Sequence, residues 1–298
     1  MKPRLLGVGE LLWDLLPGNP QMGGAPANFA CHAAALGADA AVISRVGNDA
    51  LGMDLVTRLI ALGVSTGLVQ TDREVPTGSV DVEVQESGQP RFTIHEGVAW
   101  DRLITSDAAR SAASMADAVC FGTLAQRAEP SRSTIRALLG AVRPDAFRIL
   151  DVNLRQHFYS REILEASLAL ANVLKINDAE LPILGAWVGP ADSPRAVMER
   201  LADCFGLNVV AYTRGEHGSL LWAGGNWSDH PGIPTRVVDT VGAGDAFTAA
   251  LTLGLLAGWD LDTVNQRANA VASEVASHSG ATPPLSEALR QSFQGYQG

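Results

Sequence analysis

Apolar and polar positions along this chain alternate in two different rhythms. Short apolar, β-branched runs predict buried strands at residues 5–8, 41–46, 118–121, 149–152, 173–176 and 209–212. Longer Ala- and Leu-rich segments predict helices at residues 26–36, 51–62, 131–142, 161–171, 194–205, 246–257 and 262–277. This alternation is typical of a mostly parallel sheet with helices on both faces, so we expect one doubly wound α/β domain over residues 1–298.

Residues 77–95 depart from this alternation. Their period of two, interrupted by a Gly- and Pro-containing turn at 86–90, predicts a β-hairpin inserted into the α/β domain. We expect a small β-sheet lid over the functional site, formed by about residues 10–17 and 77–98; the alternative is an ordinary antiparallel edge. Because an isolated hairpin is marginally stable, its apolar face needs a partner. The candidates are the segment 10–16 of the same chain, the substrate itself, or the same hairpin of a second copy of this chain. The lid is therefore also a candidate homodimer surface.

Composition and charge narrow the class of partner. A formal net charge of −10 argues against a nucleic-acid or anionic-membrane surface, which requires clustered Lys and Arg. The longest helix-like apolar stretch, residues 247–257, is too short to cross a bilayer. Three widely spaced cysteines (Cys31, Cys120 and Cys204) form neither a disulfide framework nor a CxxC metal motif. These features predict a cytoplasmic protein with small-molecule ligands.

The segment from Asp239 to Phe247, DTVGAGDAF, carries the clearest chemical signal. A Gly-rich turn that enters a helix leaves backbone N–H groups free at the positive end of the helix dipole, where they bind anions. Asp245 stands directly beside that predicted anion site. A carboxylate there is unfavourable unless it accepts a proton from an attacking hydroxyl, so Asp245 is a candidate general base. The alternative is that Asp245 only caps the helix.

A second Gly-rich segment precedes the first predicted helix. Gly23 and Gly24 permit close approach of the backbone to a ligand, and Asn28 places an amide on the first turns of an apolar helix, where sugar hydroxyls are suitable partners.

Two other Gly-containing segments do not match the known nucleotide-binding motifs. The one at 47–52 lacks the Lys and Ser/Thr of a P-loop, and the one at 7–9 lacks the third glycine of the dinucleotide fingerprint.

These segments, in this order, resemble the ribokinase-like (PfkB) family of sugar kinases over residues 5–280. GGAPAN at 23–28 resembles the family's N-terminal signature, and DTVGAGDAF at 239–247 resembles its C-terminal signature. The resemblance implies an ATP- and Mg²⁺-dependent transfer of a phosphoryl group to a small sugar. It assigns Asp245 as the base, with an anion hole formed by Gly242, Ala243 and Gly244.

The resemblance also assigns the remaining ligand contacts. Sugar hydroxyls would bind Asp14, Gly23, Gly24 and Asn28. KINDAE at 175–180 is similar to the N-x-x-E motif, in which Asn177 and Glu180 organise Mg²⁺ and its waters. The implied nucleotide-binding residues are Lys175, Thr213, Gly215, Gly218 and Asn269. Backbone oxygens near Asp239 and Val241 are expected to hold a monovalent cation such as K⁺, with residues 276–280 nearby.

The identity of the sugar rests on weaker signals. DVNLR at 151–155 resembles the D-x-N-x-R of fructokinase-like and keto-deoxy-gluconate kinase members, and Arg155 would reach the substrate or a phosphate oxygen; the alternative is an exposed, salt-bridging Arg. Gln126, after another predicted strand, is a further candidate contact. Fructose is the expected acceptor. The alternatives are keto-deoxy-gluconate, ribose or a nucleoside, and outside enzymes a catalytically silent sugar- or nucleotide-binding regulator.

Overall fold

The computed structural model describes residues 1–15, 20–84 and 90–293, with side chains except at 82–84 and 90–92. Its strands are β1 (Arg4–Val8), β2 (Leu12–Leu15), β3 (Gln21–Gly23), β4 (Asp39–Gly47), β5 (Val69–Asp72), β6 (Gly78–Val84), β7 (Pro90–Ile94), β8 (Ala118–Phe121), β9 (Phe147–Asp151), β10 (Val173–Asn177), β11 (Val209–Thr213), β12 (Ser219–Ala223) and β13 (Asn226–His230). Its α-helices are α1 (Ala25–Ala35), α2 (Ala50–Ala61), α3 (Asp107–Met115), α4 (Glu129–Leu139), α5 (Arg161–Leu170), α6 (Leu181–Gly185), α7 (Pro194–Phe205), α8 (Ala243–Leu256), α9 (Leu261–Ala276) and α10 (Glu287–Ser292).

The larger sheet has nine strands in the order β13-β12-β11-β10-β9-β8-β1-β4-β5. From β11 to β5 in this order, neighbouring strands pair in parallel. Strands β12 and β13 add an antiparallel edge beside β11. Helices cover both faces, because successive strand residues such as Leu5 and Leu6 enter two different core clusters. The predicted doubly wound α/β fold and its six strands are confirmed. Among the described residues, no helix combines the length and apolarity needed to cross a membrane.

The smaller sheet has the order β3-β2-β6-β7, with β2 and β6 parallel and the outer pairs antiparallel. The predicted hairpin is confirmed as β6 and β7, while residues 16–17 and 85–89 of the predicted lid lie outside the described residues. Val80 and Ile94 are buried in the same cluster as Leu12 and Trp100. The apolar face of the hairpin therefore packs on its own chain near β2, one of the partners that its pattern requires.

Trp100 fixes the base of this smaller sheet. Its ring is fully buried, and a Cβ on Gly78 would lie 2.1 Å from its Nε1 atom, so only glycine lets β6 start there. The Arg127 guanidinium stacks over the same ring at 4.0 Å, forms an ion pair with Asp101 at 2.8 Å and donates to the carbonyl of His95. These contacts tie the end of the hairpin to the carboxyl end of β8.

Candidate active site

The predicted site residues lie mainly at the carboxyl edge of the large sheet, where ligands bind in open α/β folds. The parallel register of β10 and β11 places Asn177 beside Thr213. Helices α1 and α8 pack against each other, so their first turns meet at the same edge. Two signatures more than 200 residues apart in the sequence are thereby brought into contact.

Helix α8 begins at Ala243, three residues earlier than its apolar pattern predicts. Gly242 is its N-cap residue in the left-handed conformation, with φ of 79°. A Cβ at this position would lie 2.1 Å from the carbonyl oxygen of Ala281, so glycine is required both for the turn and for space. Gly244 and Asp245 therefore stand in the first turn, where helix N–H groups have no intrahelical acceptor. This geometry fits the predicted anion hole at residues 242–244.

Asp245 is partly buried and is held by α1. The side-chain amide Nδ2 of Asn28 donates to Asp245 Oδ2 at 2.8 Å. Burial raises the pKa of Asp245 to about 7, assisted by the charge of Asp151 and opposed by the Asn28 hydrogen bond and by Lys175 and Arg155. A carboxyl group with a pKa near neutrality can accept a proton and release it again, which is the property that a general base requires.

The predicted sugar-binding side is lined by Asp14, Asn28 and the Gly-Gly turn. A Cβ on Gly23 would lie 2.4 Å from Asp14 Oδ2, so this glycine leaves room for the carboxylate. Burial raises the pKa of Asp14 to about 6, and Arg155 opposes that rise. Gly24 has φ of 110°, and a Cβ there would collide with the carbonyl of Glu10. Asn28 Oδ1 is buried with no hydrogen-bond partner among the described residues, so it can accept a hydrogen bond from a ligand hydroxyl.

Arg155 lies on a loop whose backbone is unusual at two positions. Asn153 and Gln156 have φ of 45° and 48°, in the left-handed region that non-glycine residues rarely occupy. Burial raises the pKa values of Glu10, Asp14 and Asp245, and the charge of the exposed Arg155 side chain opposes each rise. The charge of Arg155 therefore acts on the predicted sugar-binding side, and its contact with the substrate stays a prediction.

Gln126 does not join this group. Its side chain is 1% exposed, and Nε2 donates to the carbonyl of Gly122 and to the hydroxyl of Ser167, both at 2.8 Å. The sequence places Gln126 after the correct strand, but its amide turns into the interior to satisfy buried groups. This geometry argues against the predicted contact between Gln126 and the substrate.

Glu180 is buried three residues after the end of β10, at the N-cap of α6. Its two carboxylate oxygens accept backbone N–H groups of Leu154 and Asn177, at 3.0 and 2.9 Å. Burial raises its pKa, opposed by the Lys175 charge and increased by Asp151. A rigid carboxylate that lies near a second carboxylate fits a cation held through its water shell. Within residues 1–15, 20–84 and 90–293, no group of three or more His, Cys, Asp or Glu side chains could form an all-protein metal cage.

Asn177 has a different role from that of a direct metal ligand. Its Oδ1 atom accepts the N–H groups of Ala179 and Glu180, at 2.9 and 3.1 Å, and so closes its own loop. The outward part of its amide is then an NH₂ group, which cannot ligate a cation. Asn177 shapes the turn that presents Glu180, and its part in organising Mg²⁺ and the waters of the metal stays a prediction.

Lys175 is buried rather than open to a nucleotide. Its ammonium lies 3.0 Å from Asp151 Oδ1 and 3.0 Å from the point where a Gly244 side chain would begin. It therefore lies beneath the first turn of α8. The predicted anion hole of backbone N–H groups therefore has a Lys ammonium directly below it.

The remaining predicted nucleotide residues surround the β11–β12 turn. Thr213 ends β11, Gly215 faces open space, and a Cβ on Gly218 would lie 2.1 Å from the carbonyl of His230. Asn269 reaches this turn from α9, where its Nδ2 donates to Ser219 Oγ at 2.7 Å. The structure thus collects the four predicted residues in one region, with Asn269 anchored to the strand that follows Gly218.

The predicted cation loop is closed by Asp239. Its Oδ1 accepts the N–H of Val241, and its Oδ2 accepts the N–H of Gly280, both at 3.0 Å. The N–H of Val238 also donates to the carbonyl of Ala276. Segments 238–241 and 276–280 are therefore adjacent, as expected. A bound K⁺ remains a prediction.

Two residues of the site were missed by sequence reasoning. Glu10, at the carboxyl end of β1, is 2% exposed, and its Oε2 has no partner among the described residues. Thr248 is fully buried on α8, and its hydroxyl lies 3.1 Å from Asp151 Oδ2. The sequence offers one signal for both, which is a polar residue inside an otherwise apolar segment.

Comparison with known proteins decides the family. Residues 19–288 match the model of the pfkB family carbohydrate kinases. The chain belongs to this family. A fructokinase of Klebsiella pneumoniae is 33% identical over 269 residues, covering 86% of each chain. This kinase is accordingly a phosphotransferase that acts on a sugar, and that prediction is confirmed.

Solved structures of related kinases agree with the fold. An uncharacterized sugar kinase of Pyrococcus horikoshii in complex with ATP is 29% identical, with a TM-score of 0.80 over 93% of this chain and 94% of that one. Arabidopsis thaliana ribokinase, complexed with ribose and ATP, is 26% identical, with a TM-score of 0.82 over the whole of both chains. The ribokinase-like fold predicted from the two signatures is confirmed.

Proposed function

We propose that this kinase transfers the γ-phosphoryl group of ATP to a primary hydroxyl of fructose, with Asp245 as the general base. The observation that carries the proposal is the carboxylate of Asp245 in the first turn of α8, held by Asn28 at 2.8 Å. A pKa of about 7 suits proton transfer at neutral pH.

The chemistry follows from this placement. Asp245 accepts the proton of the sugar's primary hydroxyl while that oxygen forms a bond to the γ-phosphorus. The bond between the γ-phosphorus and the β,γ-bridging oxygen breaks, and ADP leaves with the electron pair. Backbone N–H groups at residues 242–244 face the charge of the transferred group. General-base assistance contributes ~10²–10⁴ in rate, and one oxyanion-type donor contributes about 10²–10³.

Glu180 is the residue that would hold Mg²⁺, through water molecules rather than in a cage of protein ligands. The metal, when bound, would neutralise part of the charge on the β- and γ-phosphate oxygens. The chain's own contribution is to keep Glu180 rigid, with its two oxygens fixed by the N–H groups of Leu154 and Asn177. Segments 238–241 and 276–280 are the proposed site for K⁺.

Recognition of the acceptor rests on Asp14, Asn28 and Arg155. Asp14 provides acceptors for two sugar hydroxyls, and the unpartnered Asn28 Oδ1 provides another. The similarity to a fructokinase favours fructose. One observation favours a second candidate, keto-deoxy-gluconate, because the exposed Arg155 guanidinium would pair with the carboxylate of such an acid.

An acceptor panel tests the proposal. Fructose, ribose, adenosine and keto-deoxy-gluconate are compared at equal concentration by ADP release coupled to NADH oxidation. We expect the highest kcat/KM with fructose. A preference of tenfold or more for keto-deoxy-gluconate, lost in Arg155→Ala, would favour the second candidate. A chain that binds a sugar but releases ADP with none of the four would favour a silent regulator.

A further inference from the structure

A buried ion pair lies directly below the proposed anion hole. Lys175 on β10 and Asp151 at the end of β9 have side chains 7% and 3% exposed, with their charged atoms 3.0 Å apart. Removing two charges from water costs several kcal/mol, and apolar residues of similar volume often stabilise a fold at least as well. Stability alone is therefore a weak reason for a Lys–Asp pair in this position.

The second carboxylate oxygen of Asp151 connects the pair to α8. Thr248 Oγ1 donates to Asp151 Oδ2 at 3.1 Å and is also 2.9 Å from the carbonyl oxygen of Gly244, one turn earlier in the helix. Asp151 thus joins a Lys from the sheet to a Thr from the helix. The first turn of α8 and the ends of β9 and β10 cannot shift relative to one another without breaking one of these contacts.

The position of the Lys175 ammonium indicates what the link between Asp151 and α8 could do chemically. Lys175 Nζ lies 3.0 Å from the point where a Cβ on Gly244 would be, so it reaches the helix turn through the space that this glycine leaves. Backbone N–H groups supply only partial charges, whereas a fixed ammonium in a water-poor site adds a full one. A charged group that is already in place before the reaction stabilises the charge of the transition state without first having to reorganise.

We propose that Asp151 and Thr248 are positioning residues that hold the Lys175 ammonium beneath the anion hole. This inference rests on the proposed role of the first turn of α8. Asp151 partly neutralises Lys175 in the resting enzyme, and Thr248 sets the distance between that pair and the helix. Without Thr248, the ammonium stays buried but is no longer fixed relative to Gly244.

The test uses Thr248→Val, which keeps the shape of the side chain and removes the hydroxyl. A matched control exists on the same helix, because Thr252 is equally buried and its hydroxyl donates, among the described residues, only to the carbonyl of Thr248, at 2.7 Å. We expect Thr248→Val to lower kcat about tenfold with little change in sugar KM, as for the loss of a hydrogen bond to a charged group. Thr248→Ser should restore most of the activity, and Thr252→Val should behave like the wild type.

A binding measurement separates positioning from a loss of stability. Calorimetric titration with ADP and aluminium fluoride, in the presence of sugar and Mg²⁺, probes the affinity for a phosphoryl group in flight. We expect Thr248→Val to weaken this complex about tenfold, and Lys175→Met about 100-fold, while affinity for ADP alone changes less than threefold. Asp151→Asn should weaken the complex in the same selective way.

Two results would overturn the inference. One is equal loss of kcat in Thr248→Val and Thr252→Val at matched melting temperature, which would reduce Thr248 to a packing residue. The other is tight binding of ADP and aluminium fluoride by Lys175→Met. Wild-type activity in the acceptor panel is measured first, so failure of the proposed function is recognised separately.

Discussion

Gly242→Ala is a severe test of the anion hole, because the displacement that the new methyl group forces on this turn can be worked out from the structure. Gly242 has φ of 79°, a conformation that costs a residue with a Cβ about 1–2 kcal/mol. The new Cβ would lie 2.1 Å from the Ala281 carbonyl oxygen, whereas ordinary contacts begin at 3.4 Å. The turn or segment 281 must therefore move by more than about 1 Å, and such a misplacement can cost ~10²-fold in rate.

The expected result is a folded protein whose kcat is about 10²-fold lower, measured by coupled ADP release. Gly258→Ala provides the matched control at the other end of α8. Its φ is 66°, but a Cβ there meets nothing within 4 Å, so it carries the backbone cost without the collision. Gly258→Ala should lower the melting temperature slightly and leave kcat unchanged. Wild-type kcat in Gly242→Ala would refute the assignment of this turn as the anion hole.

Three further predictions concern the base, the metal and the lid. Because the pKa of Asp245 is raised to about 7 and only its ionised form accepts a proton, kcat/KM should increase as the pH rises through about 7; a flat profile from pH 5.5 to 8 would contradict this. Glu180→Gln should raise the Mg²⁺ concentration for half-maximal rate, and an unchanged Mg²⁺ titration would move the metal site elsewhere. Replacing residues 79–93 by a short Gly-Ser turn should raise sugar KM and the ratio of ATP hydrolysis to sugar phosphorylation; unchanged values of both would exclude a lid.

The central strands could be predicted from the sequence because they are buried on both faces. Strands such as β8 (AVCF) and β11 (VVAYT) then begin as continuous apolar runs, which the sequence shows directly. Edge strands were missed for the opposite reason. β5 (VQTD) and β13 (NWSDH) consist mostly of polar residues, several of them at least partly exposed, so their composition resembles that of a loop.

For the candidate site, too, some features could be predicted from the sequence and others could not. The ligand-binding role of segments that are contiguous in sequence, such as 23–28 and 239–247, could be predicted from the glycines that precede their helices. Contacts between distant residues did not, since Asn28 and Asp245 are 217 positions apart, and Asp151 and Thr248 are 97 apart. Gln126 shows the limit of local reasoning, because its place after a strand was correct but its side chain points inward.

The most direct test of the account is the turnover of Asp245→Asn, measured with saturating ATP and the preferred sugar. The amide keeps the size of the carboxyl group, and a hydrogen-bonded neighbour at Asn28 remains, but the side chain can no longer accept a proton. We predict a kcat at least ~10²-fold below wild type, with ATP affinity and melting temperature preserved. Near-wild-type turnover in a well-folded Asp245→Asn protein would contradict the assignment of Asp245 as the base.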